Sequence, residues 1–373
     1  MKRPFLPFIM AVAAACWTLA FFLCVIDCLN IYSWGMRAKL KTDGDYSMRS
    51  TAFLASVVAK DPDLDTVFIG GSPGHFFTTR MMEDALPNTG RAFNLSYGSP
   101  SAKDRAAVER QVLRFSHARR FIIEADWTYA IPVTDQHMSE SFPIYLYDDV
   151  WWNDVRGINW QTLALSIAVL RGDPLWISGW GKAREQDGYR NRYDRTHSPE
   201  ALADLREMVV HQRTRIETPS KLTCEQMDEV ANNLVPFARA LAARGAEVDV
   251  LMPLYSSIIY YWAAESKSRE QLARPTLLGD ELLLRRCLVE ALDGLPGLRI
   301  FAFDDVPGLA ADFSNYFDPG HLYNPAANLY VLRSIARGEH RLTRSNVADR
   351  NSEMKRNVIQ YQFTSEKPWA APP

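Results

Sequence analysis

From Thr66 onward the chain alternates short apolar runs with longer stretches of helical period, and this order restricts the folds open to it. "TVFIG", "RAFNLSY", "RRFIIEAD", "EVDVLMPLY" and "LRIFAFDDV" read as strands. Between them "TTRMMEDAL", "SAKDRAAVERQVLRFS" and residues 225–244 and 269–292 read as helices. Strands spaced by helices of this length predict βαβ units, hence an α/β fold with a mostly parallel five-stranded sheet covered on both faces. Ligands of such sheets bind beyond the carboxyl ends of the strands, so the loops after these runs are the places to search.

The N-terminus carries a different signal. Phe5 to Ile26 contains no charge and follows Lys2 and Arg3. About 20 apolar residues are enough for a helix to cross the hydrocarbon core, and the preceding positive charges favour a cytoplasmic N-terminus. This predicts a membrane anchor at 1–34, with Tyr32 and Trp34 at the outer interface, a polar stalk at 35–60 and the remainder outside the membrane. A cleaved signal peptide, with small residues at Ala13 to Ala15, or lipidation at Cys16 are the alternatives; the length of the apolar run favours the uncleaved anchor.

The main domain is expected at 61–340, interrupted at 127–220 by a polar, aromatic-rich insertion and followed by a polar tail, 341–373, read as loosely ordered. Trp127, Tyr129, Tyr145, Tyr147, Trp151, Trp152, Trp160, Trp176, Trp180, Tyr189 and Tyr193 fall in the insertion. They either pack it onto the sheet, the favoured reading, or form a wall for stacking sugars; "INWQTLALSIAVLRG" is its best helix, and "RNRYDRTH" reads as a solvated loop. A net charge of -2 argues against nucleic acid as a partner. Three of five cysteines lie in the apolar segment, leaving Cys224 and Cys287; no Cys or His spacing suggests a metal, and no cofactor is predicted. A chain of 373 residues has enough core to fold without disulfides.

Chemistry concentrates at two loops. In "FIGGSPGHFF" Ser72 follows the first strand at the start of a helical turn, where it is either an ordinary cap or a nucleophile near backbone N–H groups. A nucleophilic serine needs a base. His75 lies three residues on; His321, in "FDPGHLYNPAANLYVLRSI", follows Asp318 by three residues across a Pro-Gly turn. That spacing lets a carboxylate orient the imidazole, and the position after the last strand places both residues at the edge of the sheet that carries Ser72.

"FIGGS", "NLSYGSPS" and "DPGHL" together resemble the sequence blocks of the SGNH/GDSL-type hydrolases and acyltransferases. The resemblance spans 66 to about 335 and implies a three-layer fold with Ser72, Asp318 and His321 as catalytic triad. It also implies an oxyanion and substrate-binding set drawn from Asn94, Gly98 or Ser99, and the residues after the third strand. There the family's Gly-x-Asn-Asp block is replaced by "IIEADW", placing Glu124 and Asp126 where an asparagine would donate to the oxyanion. These two carboxylates are read as capping or substrate-binding groups, or as solvated side chains at a strand end.

With the predicted anchor, these blocks look most like the SGNH-like proteins of bacterial envelope-polymer acylation, alginate O-acetyltransferase-like proteins among them. The resemblance implies a single-pass protein of the cytoplasmic membrane whose outer domain transfers or hydrolyses O-acyl groups of a polysaccharide, with a polytopic membrane acyltransferase as partner. A non-catalytic carbohydrate-binding protein and a scaffold for that acyltransferase are the competing expectations.

Overall fold

The computed structural model describes residues 5–26, 62–87, 89–96, 101–126, 193–213, 222–227, 230–265 and 277–365, with isolated positions between 129 and 150 and between 216 and 220. The expected stalk, the helix at 158–172, most of the aromatic insertion and the last residues of the tail lie outside these.

Strands β1 (Leu64–Ile69), β2 (Arg91–Asn94), β3 (Arg120–Glu124), β4 (Glu247–Leu251) and β5 (Leu298–Phe301) form the parallel sheet that the alternation predicts. A sixth, two-residue strand, β8 (Arg341–Leu342), joins antiparallel beside β5. The order is β2-β1-β3-β4-β5-β8. The chain leaves β1 for β2 on one side and returns to β3 on the other, so β1 and β3 flank the point where the winding reverses. Ligands of doubly wound sheets bind at that point, outside the carboxyl ends of the strands.

Side-chain alternation distributes two cores over the two faces. Val67, Ile69, Phe121, Ile123, Val248 and Val250 belong to one, with helices α3 (Ala102–Phe115), α5 (Val235–Ala243) and α7 (Leu277–Leu292). Phe68, Ile122, Leu251 and Phe301 belong to the other, with α2 (Thr79–Ala85), α6 (Ile258–Glu265), α8 (Pro325–Arg337) and α9 (Val347–Ile359). Helix α3 begins where the sequence signals it: Ser101 accepts from the Asp104 N–H and the Asp104 carboxylate accepts from the Ser101 N–H. At the opposite end of the sheet Asp249, fully buried on β4, accepts from Arg120 on β3 at 2.9 Å and Arg299 on β5 at 2.7 Å, tying three strands by charge-assisted bonds.

Several expectations change. The described part of the tail, 341–365, is structured: after Gly338 closes α8 in the left-handed region (φ 73°), the chain adds β8 and then α9, whose Met354 and Val358 enter the core. The helix expected over 225–244 is a short 3₁₀ turn (Cys224–Gln226), a π turn (Val230–Leu234) and α5, so the helical period is interrupted. Residues 193–197 of the supposed solvated loop form a helical turn packed on the protein, and α4 (Pro199–Gln212) continues from it within the insertion. The described aromatics of the insertion pack inward, Tyr129 beneath Arg105 and Tyr147 against Phe142.

The apolar N-terminal run forms helix α1 (Phe5–Ile26). Among the described residues, no helix is long and apolar enough to cross a membrane; the side chains described in α1 are those of residues 7–18, shorter than the span the sequence predicts.

A disulfide joins Cys224 and Cys287, with Cα atoms 5.4 Å apart, contrary to the expectation from composition. It pins the segment before α5 to α7. A loop of this length, 63 residues of separation, corresponds in the chain-entropy account to about 4 kcal/mol. Reduction, or the paired change Cys224→Ser and Cys287→Ser, is expected to lower unfolding free energy by about 2–4 kcal/mol in urea denaturation, with the folded secondary structure retained by circular dichroism.

Candidate active site

The first strand ends at Ile69, and two glycines lead into a 3₁₀ turn, Ser72–Phe76. The glycines answer a steric demand. A Cβ on Gly70 would stand 2.7 Å from the Glu124 Oε2 atom, and one on Gly74 would stand 2.4 Å from the Phe68 ring. Glu124, at the carboxyl end of β3, approaches the loop closely because Oε2 accepts from the Gly71 N–H at 2.9 Å and the Gly74 N–H at 3.1 Å. Glu124 is therefore a backbone-binding residue in the structure and not a solvated strand-end carboxylate; it is 2% exposed.

Burial pushes the Glu124 carboxyl well above its ordinary range, and the neighbouring Asp126 pushes it further; the two N–H donors pull the other way without reversing the shift. Asp126 is also buried, and its Oδ2 atom would meet a Cβ on Gly71 at 3.0 Å. Asn94, at the end of β2, grips the same turn from the other side. Its amide donates to the Gly74 carbonyl at 2.8 Å and the Phe77 carbonyl at 2.6 Å, while its oxygen accepts from the Ser96 N–H. Both amide hydrogens of Asn94 thus serve the loop. Gly98 and Ser99 lie outside the described residues.

Ser72 is not a cap. Gly71 occupies the N-cap position, and no side-chain capping bond forms there. Among the described residues, neither the Ser72 N–H nor its hydroxyl has a hydrogen-bond partner. Both are thus uncommitted in a turn whose neighbours on either side are held fast.

The second element is the hairpin of β6 (Tyr316–Asp318) and β7 (His321–Leu322). Asp318 Oδ1 lies 2.5 Å from His321 Nδ1 and also accepts from the Gly320 N–H at 3.0 Å. The carboxylate holds the ring through Nδ1 and leaves Nε2 free of that contact, the orientation a general base would need. Strand β7 packs against the Ser72 turn. Asn328 of α8, 1% exposed, donates to the carbonyls of both Phe76 and Leu322 at 3.4 Å and so bridges the two elements. The Phe76 ring meets His321 edge-on at 6.4 Å. No hydrogen bond joins Ser72 to His321, a separation common in unliganded sites. His75 sits in the turn itself with its ring edge on Phe76; His321 is the histidine with a carboxylate on Nδ1.

Residues that the sequence does not single out support this arrangement. His197 stacks between Tyr193 at 3.8 Å and Phe313 at 4.7 Å, and Thr196 donates to the Phe317 carbonyl at 2.8 Å. Together they brace the β6–β7 hairpin from the insertion side. Neither they nor Asn328 stands at a spacing that would mark it in advance. Among the described residues, no cluster of three or more His, Cys, Asp or Glu could hold a metal ion.

No protein-family model matches the chain, and no match to it is found among the curated proteins. What the site does is therefore argued from its geometry.

The Glu124 geometry makes a testable claim. Because its folded pKa is raised, the native state holds the proton that the unfolded chain releases near pH 4.5. Its stabilising contribution is complete below that pH and declines as pH rises towards the folded value. Glu124→Gln keeps an acceptor for the two N–H groups and cannot ionise. It is expected to flatten the fall in stability above pH 5 and to match or exceed wild-type stability at pH 8 in urea titrations. Glu124→Ala leaves Gly71 and Gly74 without their acceptor, costing about 1–3 kcal/mol per donor. A Gln variant as unstable as the Ala variant at pH 8 would contradict this account.

Proposed function

We propose that this chain is an SGNH-like acyltransferase or esterase, membrane-anchored and extracytoplasmic, acting on O-acyl groups of a cell-envelope or secreted polysaccharide. The observation that carries the reading is an Asp318-oriented His321 on a strand that packs against the turn bearing an uncommitted Ser72. That turn follows β1 at the carboxyl edge of the sheet, beside the point where its winding reverses, and β7 packs against it.

In this mechanism His321 Nε2 takes the hydroxyl proton as Ser72 Oγ attacks the acyl carbonyl. Asp318 holds the ring and stabilises the imidazolium. The oxyanion receives the free Ser72 N–H; the second donor that the resemblance implies, Gly98 or Ser99, lies outside the described residues. Glu124 cannot replace the family's asparagine as a donor through Oε2, which already accepts two bonds. His321 then protonates the leaving oxygen, giving an acyl-Ser72 intermediate. A sugar hydroxyl, deprotonated by the same histidine, completes transfer, and water completes hydrolysis.

Two features support an outer location. In the sequence the run Phe5–Ile26 carries no charge and follows Lys2 and Arg3, the pattern on which the anchor reading rests. A structural disulfide at Cys224–Cys287 suits an oxidising compartment. A polytopic membrane acyltransferase is the donor partner this reading requires for transfer.

The full-length chain, incubated with 4-nitrophenyl acetate and examined by intact mass, is expected to carry an acetyl group that Ser72→Ala lacks. His321→Ala should lower release of nitrophenolate by about 10³-fold or more, the scale seen when a triad member is removed. A folded wild-type chain with neither adduct nor turnover, also when supplied with membranes containing an acyl donor, would favour the carbohydrate-binding reading. Replacement of the oxyanion asparagine by the loop-holding Glu124 is the observation on that side.

A further inference from the structure

Tyr323 follows His321 by two residues, and Leu322 between them turns into the core, so the two rings leave the same side of β7. Both meet Phe76 of the Ser72 turn in an edge arrangement, His321 at 6.4 Å and Tyr323 at 5.4 Å. Tyr193, from the insertion, stands 5.9 Å from Tyr323, and Phe317 of β6 stands 6.3 Å from it. The imidazole thus shares its side of the hairpin with a cluster of aromatic rings.

Packing alone does not account for Tyr323. The rings that brace the hairpin are covered: Phe317 is 2% exposed and Phe313 is fully buried. Tyr323 is 43% exposed, and its neighbours Phe76 and Tyr193 are only partly covered. Its hydroxyl makes no hydrogen bond among the described residues. A single exposed aromatic side chain is ordinary. Partly open rings in mutual contact beside the Asp318–His321 pair are a different matter, because they give the site an apolar wall.

The proposed mechanism decides which part of a substrate meets this wall. The acyl group goes to Ser72, whereas the alcohol oxygen must come to His321 Nε2, which gives it a proton on leaving and takes one on attack. Whatever that oxygen carries therefore lies on the His321 side, against Tyr323. A rigid ring offers an aromatic surface a broad contact and gives up little conformational freedom on being held. An open chain with the same number of carbons loses rotamers there.

We propose that Tyr323 is a specificity-determining residue, the ring against which the alcohol half of the ester rests, and that it selects alcohols borne on a ring over open-chain ones. The inference rests on the acyl-transfer reading above and adds to it the shape of the alcohol.

The test compares hydrolysis of two secondary acetates by the full-length chain, cyclohexyl acetate and hexan-3-yl acetate, which share a carbon number and differ in ring closure. Wild type is expected to prefer the cyclohexyl ester by about fivefold in kcat/KM, the scale of one aromatic contact. Tyr323→Ala should abolish that preference through a rise in KM for the cyclohexyl ester, and Tyr323→Phe, which keeps the ring, should retain it. Tyr323→Leu, apolar but not flat, replaces the Ala variant if that fails to fold and should lose the preference likewise. A preference that survives in the Ala or Leu variant overturns the role of Tyr323; if kcat falls equally on both esters, the ring only holds the hairpin. Hydrolysis of 4-nitrophenyl acetate by a wild type that shows no preference for the cyclohexyl ester, or that turns over neither acetate, overturns the inference and leaves the acyl-transfer reading standing. No turnover of any of the three esters by the folded wild type overturns both, so the two failures are distinguishable.

Discussion

The acceptance of two backbone N–H groups by Glu124 shapes the whole carboxyl edge of this sheet. A strand entering a tight turn leaves N–H groups without ladder partners, and burying them unpaired is costly. Here one carboxyl oxygen from β3 satisfies Gly71 and Gly74 together. That arrangement demands glycine at position 70, where any side chain would collide with Glu124 itself. It also locks the turn to β3, so Ser72 is placed by the adjacent parallel strand and not by its own loop. Asn94 repeats the logic from β2 through the carbonyls. Three neighbouring strands therefore fix the turn that carries Ser72, and in the proposed mechanism a nucleophile held in this way needs little ordering when substrate arrives.

The hairpin bearing His321 is held by different means. Its two strands are short, and a pair of that size is marginal alone. Its position comes from contacts outside the ladder: Asn328 from α8, the Ser256 N–H from the loop after β4, and Thr196 with the Tyr193–His197–Phe313 stack from the insertion. The insertion thus acts as a brace for the base. This explains how a segment read as a solvated loop carries buried and stacked groups, since the hydrogen-bonding capacity of Thr196 and the ring of His197 are directed at the hairpin.

The parallel sheet was legible because short apolar runs separated by helical lengths admit few arrangements, and the Asp318–His321 pair because three residues with a Pro-Gly turn define a reach. The amphipathic helix α3 was legible as a local pattern in "SAKDRAAVERQVLRFS". The disulfide was not: Cys224 and Cys287 are 63 positions apart and nothing local announces them. The tail misled because α9 buries only a narrow stripe, Val347, Met354 and Val358, within an otherwise polar helix. Glu124 was ambiguous for a deeper reason. A carboxylate at a strand end looks alike in sequence whether it faces water or two buried amides, and only the third dimension brings Gly71 and Gly74 to it.

That last ambiguity bears on the chemistry. Under the proposed acyl-transfer reading, a Glu124 that holds the loop where the resembled family has an asparagine takes one donor from the oxyanion, a loss on the scale of about 3–4 kcal/mol in transition-state stabilisation where a hole relies on it. The same substitution stiffens the turn that presents the Ser72 N–H, the donor that remains uncommitted. A site built this way exchanges breadth of electrostatic support for fixed geometry. Under that reading it is better suited to an acyl group delivered in a set orientation than to capture of an arbitrary ester from solution. Positioning of the substrate by contacts away from the reacting carbonyl then supplies what the oxyanion hole does not.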